Sequence, residues 1–222
     1  MSKQFWAMLA VVAIVLGGIF VVTGKNNNAT APSPNSSAAV TKHFEGNSSA
    51  KVTLQEYGDF QCPVCGVFYP VTKQVVEKYK DQIYYQFSHL PLTQLHPNSF
   101  AASRAAEAAG LQGKFFEMHN LLYQNQTTWS QASNAQAIFD AYAGQLGLNL
   151  AQFKSDYASS KVNNAIDADI AAFKKTGQDM GTPTYFLNGK KINNADLFDS
   201  NNSPSVEKFS QLIDAAIASK KQ

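Results

Sequence analysis

Cys62 and Cys65 are the residues of this chain best suited to chemistry. They are its two cysteines among 222 residues, and they stand as Cys62-Pro63-Val64-Cys65. Two cysteines exclude a framework of structural disulfides. A zinc site needs two more ligands, and there is no second cysteine pair. His89 and His96 lie seven apart, outside the usual spacing for a histidine pair. A four-cysteine iron–sulfur cluster is excluded. An inert disulfide here would close a very small loop, with little entropic gain. The remaining reading is a redox dithiol, with no metal and no cofactor beyond its own disulfide.

A helix start positions such a pair well. Val52-Thr53-Leu54-Gln55-Glu56-Tyr57 alternates as a strand, and Gly58–Gln61 forms a turn. Phe68, Val71, Val75 and Tyr79 then recur at helical spacing, with Pro70 expected to kink that helix. Cys62 falls at the helix N-terminus, where unpaired N–H groups and the dipole favour a thiolate. Pro63 takes the first turn, where its missing N–H costs nothing. Cys62 is the expected nucleophile, and Cys65, one turn in, the buried resolving thiol.

Other candidates read less sharply. Gly181-Thr182-Pro183-Thr184 fits an ordinary turn with a trans proline. It also fits a cis-proline loop facing the dithiol, with the Thr182 backbone pairing an extended substrate. Glu56 lies on the apolar strand face, six residues before Cys62. It reads equally as a buried carboxylate serving Cys65 or as a strand-end residue reaching solvent. His43, His89, His96 and His119 show no partnered spacing, and His119 reads as packing. Asp59 reads as a turn cap rather than a catalytic group. Trp129 falls in a polar stretch with no readable role.

Ile83, Tyr85 and Phe87 mark a second strand. From about Pro97 to Lys175 the pattern is helical, clearest at Phe100–Ala109, Lys114–Gln124, Asn134–Leu146 and Val162–Lys174. Thr184–Leu187 and Lys190–Ile192 form a hairpin across Asn188-Gly189. Val206, Phe209, Ile213 and Ala216 stripe a last helix. This order predicts an α/β core with a helical insertion.

An uninterrupted apolar run extends from Phe5 to Val22. As a helix it would span roughly 27 Å, close to the ~30 Å hydrocarbon core. Residues 1–24 are therefore expected to be a transmembrane anchor, or a signal segment cleaved near Ala29-Thr30-Ala31. Residues 25–42, rich in Asn, Ser, Ala and Pro, read as a flexible tether, and residues 43–222 as the folded domain. Both readings of the N-terminus put the domain outside the cytoplasm. The formal net charge of +2, with 15% charged residues, supplies no basic stripe for nucleic acid.

The chain resembles the DsbA-like thioredoxin-fold oxidoreductases from about His43 onward. Gly46-Asn47 to Val52, Glu56 to Cys65 and Gly181 to Gly189 carry the resemblance. It implies a thioredoxin core interrupted by helices at about 97–175, a cis Pro183, a kink at Pro70, and a proton-handling role for Glu56. The Pro63-Val64 dipeptide departs from the Pro-His of strongly oxidising members, which implies a weaker oxidant.

The expected activity is oxidation of dithiols in exported cysteine-containing proteins, with a membrane partner restoring the disulfide. A reductase or isomerase on the same fold is the alternative. A tethered binding or chaperone module is a third, but it would not need Cys62, Cys65, Thr182 and Pro183 together.

Overall fold

Five short strands form the scaffold: β1 (His43–Gly46), β2 (Val52–Gly58), β3 (Ile83–His89), β4 (Thr184–Leu187) and β5 (Lys190–Lys191). The computed structural model describes residues 41–220. The sheet order is β1-β3-β2-β4-β5, with β2 and β3 parallel and the other pairs antiparallel. Asn188 and Gly189 turn β4 into β5 with positive φ of 51° and 78°. Such a two-residue turn matches the strand twist.

Both faces of the sheet are covered. On one face Leu54, Tyr85, Phe87 and Tyr185 meet Phe68 of α1 (Pro63–Lys78) and Phe209 of α8 (Val206–Ser219) in one core. On the other, Tyr57 and Phe186 meet Phe173 of α7 (Ser160–Lys175). Burial on both faces explains why β2 and β3 are rich in large apolar residues.

Six helices stand between β3 and β4. They are α2 (Ser99–Gly110), α3 (Phe115–Gln124), α4 (Gln126–Trp129), α5 (Ala135–Gln145), α6 (Leu150–Tyr157) and α7. α2 is the hub, packing on α3, α5, α6 and α7. Its Ala102, Ala105, Ala106, Ala108 and Ala109 are fully buried, and their small side chains permit that crowding. Asn134, Asn149, Ser159 and Ser205 cap α5, α6, α7 and α8, each accepting from the amide three residues on.

Several features depart from the sequence reading. β1, α4 and α6 have too few periodic apolar residues to stand out. Trp129, expected in a polar loop, is fully buried, and its indole N–H donates to Leu122 O at 2.8 Å. Thr41, expected in the tether, is buried; its amide donates to Asp169 at 2.9 Å. The proposed anchor at 1–24 and the tether up to residue 40 lie outside the described residues. Among the described residues no helix is long and apolar enough to cross a membrane.

Gly58 ends β2 under tight constraint. A β-carbon there would lie 2.5 Å from Phe87 Cε2 and 3.0 Å from the Tyr123 hydroxyl. Phe87 is fully buried and has nowhere to step aside. Gly58→Ala is therefore expected to cost about 1–3 kcal/mol, read as a lower midpoint in denaturant. An unchanged midpoint would show that the ring relocates freely.

Candidate active site

The turn from β2 into α1 builds the site. The Asp59 carbonyl accepts from the Cys62 amide at 3.1 Å. Cys62 is the N-cap of α1 in extended backbone conformation, and Pro63 follows in the first turn. Cys62 is 6% exposed and Cys65 is fully buried, and both are free thiols. Val64 between them is 47% exposed. Pro70 is accommodated inside α1.

The two thiols differ sharply in acidity. Cys62 is lowered to about 6, chiefly because the Cys65 thiol donates to its sulfur. Burial opposes this, and Thr182 and the amides of Cys65 and Val64 reinforce it. Cys65 is held well above its ordinary value, first by burial, then by donating to Cys62 and by the negative charges of Cys62 and Glu56.

Thr182 and Pro183 come from the far end of the chain, and the bond between them is cis. The Cys62 thiol donates to the Thr182 carbonyl at 3.4 Å. The Thr182 hydroxyl is buried without a hydrogen-bond partner and can donate to the Cys62 thiolate. Of the two readings of this segment, the structure has the cis loop facing the dithiol.

Glu56 is buried, and its charge acts on Cys65. Tyr85 donates to its carboxylate at 2.7 Å. Burial raises its carboxyl to about 7, against the lowering effect of hydrogen bonds from Tyr85 and Tyr185. A water-sized cavity of 10 Å³ adjoins it, lined also by Tyr85, His119 and Tyr123. The structure thus brings Cys62, Cys65, Glu56, Thr182 and Pro183 together, with Pro63 and Val64 between the two cysteines.

The family model described as thioredoxin matches residues 38–215. The chain belongs to the thioredoxin family. Its fold within that family is the DsbA-like one, with inserted helices. BdbD from Bacillus subtilis superposes with a TM-score of 0.67 at 20% identity, over 80% of this chain and 93% of that one. α-DsbA1 of Wolbachia pipientis superposes at 0.65 and 20%, over 86% and 96%. The Na(+)/H(+) antiporter NhaA 1 of Salinispora arenicola (strain CNS-205) is 36% identical over 178 residues, 79% of this chain. The chain spans 25% of that antiporter's length.

This thioredoxin-family site has supports that the sequence reading missed. Gln126 of α4 donates through Nε2 to the carbonyls of Phe60 at 2.7 Å and Cys62 at 2.9 Å. Gly66 makes room for it, since a β-carbon there would lie 2.6 Å from Gln126 Oε1. Gln61 answers from the turn, donating to Ser130 O at 2.8 Å and accepting from the Asn98 amide at 2.6 Å. Asp59 caps the turn as expected, accepting from the Gln61 amide at 2.8 Å. Its other oxygen pairs with His96 at 2.7 Å, so that histidine does have a partner. His43 and His89 also have one, in Glu107. His119 is buried among Phe60, Phe87 and Phe116, and burial lowers it to about 3, so it packs as a neutral ring.

Proposed function

We propose that the protein is a dithiol oxidase that introduces disulfides into exported cysteine-containing proteins. The unequal thiols carry this reading. A thiolate at Cys62 stabilises the reduced pair, and what stabilises the reduced form makes the disulfide a stronger oxidant.

In the proposed reaction a substrate thiolate attacks Cys62 Sγ of the disulfide form. The Cys62–Cys65 bond breaks and Cys65 leaves with the electron pair. Glu56, raised to about 7 and so about half protonated at neutral pH, supplies the proton that Cys65 needs in its buried position. A second substrate thiolate then attacks the substrate sulfur of the mixed disulfide and expels Cys62. Its low pKa makes Cys62 a good leaving group. The substrate loses two electrons and the enzyme gains them. A membrane redox partner must take them up again. Pro183 has no N–H, which leaves the Thr182 backbone free to pair with an extended substrate strand.

Equilibration against glutathione tests the direction. The pair is expected to be more oxidising than the roughly −270 mV of thioredoxin, and thiolate absorbance of Cys62 to rise with a midpoint near pH 6. A potential at or below the thioredoxin value with an ordinary Cys62 would promote the reductase reading.

We place the domain on the extracytoplasmic side, held by the apolar run from Phe5 to Val22 and tethered through residues 25–40. Membrane fractionation with intact-mass measurement checks this. A soluble protein starting near Pro32 would sink the anchor and leave export intact.

A further inference from the structure

We propose that His43, His89 and Glu107 form a binding site for a zinc-like divalent cation, separate from the dithiol. Three elements, β1, β3 and α2, bring these side chains together. Nε2 of His43 lies 2.6 Å and Nε2 of His89 2.8 Å from the same oxygen, Glu107 Oε1. A donor atom of each lies within 4.8 Å of the others. Two imidazoles and one carboxylate suit zinc and its first-row neighbours, with a fourth position left for water.

The local charge favours a cation. Among the described residues the hydrogen-bond partners of the Glu107 carboxylate are these two rings, and neither a lysine nor an arginine pairs with it. Glu107 is largely buried, and its carboxylate supplies negative charge that a bound cation would balance.

The ligands are also held in place before any metal arrives. The His89 amide donates to Asp169 at 2.8 Å, fixing the end of β3. The His43 ring stacks on Phe115 at 3.5 Å between centroids and 3° between planes. Gly110 leaves it space, since a β-carbon there would stand 3.3 Å from His43 Cε1. Without a metal the rings donate to the carboxylate. On binding, each Nε2 gives its lone pair to the metal and the ring hydrogen sits on Nδ1, with no electron transferred. His89 Nδ1 is buried without a hydrogen-bond partner. Placing a hydrogen there has a cost, so affinity falls below that of a closed four-ligand site.

The test uses the full chain with its dithiol oxidised, so that Cys62 and Cys65 cannot bind metal. Cobalt(II) is expected to give a visible d–d band saturating at one equivalent. Zinc should bleach that band and raise the thermal midpoint. His43→Ala, on an edge strand, is expected to lower zinc affinity by at least about tenfold. Glu107→Gln keeps the shape and should do the same. The proposal fails if the parent gives neither band nor midpoint shift, or if both variants bind zinc as tightly as the parent. A loss of stability in the variants without metal does not enter this comparison, which is made within each protein with and without zinc.

Discussion

Cys65→Ser is expected to accumulate mixed disulfides with substrate proteins, whereas Cys62→Ser forms none and loses turnover by on the order of a thousandfold or more. Two properties of Cys62 combine in this result. In the parent its thiol is lowered to about 6, so roughly nine-tenths is thiolate at pH 7, and in Cys65→Ser the serine hydroxyl can donate in place of the lost thiol. Cys62 also retains a sliver of exposed surface, while Cys65 has none. Cys65, buried beside Cys62, is the neighbouring thiol that can attack a disulfide there. In Cys65→Ser the Cys62 thiolate attacks a substrate disulfide and expels one substrate thiolate, and the mixed disulfide so formed has no neighbouring thiol to resolve it. Non-reducing gels of the two variants read the outcome directly. Adducts on Cys62→Ser and none on Cys65→Ser would reverse the assignment.

Glu56→Gln is expected to stabilise the fold at pH 8 by up to about 3 kcal/mol and to leave it nearly unchanged at pH 4. Burial raises the folded carboxyl from 4.5 to about 7. Below pH 4.5 folded and unfolded chains both hold the proton, so the carboxyl brings no ionisation penalty. Between 4.5 and 7 the unfolded chain releases it first, and stability falls with rising pH. Above 7 the loss is complete. Glutamine cannot ionise, yet its amide oxygen still accepts from Tyr85. Turnover is expected to slow by up to about a hundredfold with KM little changed, because Cys65 loses its proton donor. Denaturant melts at the two pH values and steady-state assays decide. Equal stability at both pH values, with an unchanged rate, would mean that Glu56 has no part in proton transfer.

The dithiol and its helix were legible because their signal is local. A strand, a turn, Cys-Pro-Val-Cys and an apolar stripe all fall within about thirty consecutive residues. The Asn188-Gly189 turn was legible for the same reason. Glu56 and Thr182-Pro183 could be picked out but not decided from the residues alone, and it was the family resemblance that implied a proton-handling acid and a cis proline. Their surroundings depend on strand register, as when Glu56 lies between Phe87 and Tyr185. His43, His89 and Glu107 were beyond reach. They come from a four-residue edge strand, the end of β3 and a helix, and no periodicity links them. Trp129 and Gln126 were missed because their helix has four residues, too few for a pattern. Thr41 looked like tether because the composition around it is polar, and what orders it is a carboxylate 128 residues away.

Gln126 ties the reactive cysteine's own carbonyl to the helical insertion. Making or breaking the sulfur–sulfur bond works on the same turn that α4 holds from the other side. A partner that grips α4 and displaces Gln126 therefore alters how readily the disulfide forms. Thermodynamic linkage makes the effect mutual: that partner must prefer one redox state of the enzyme, by the same factor with which it shifts the redox equilibrium. The inserted helices then become the place where the state of two sulfur atoms can be sensed from outside, without contact with either of them.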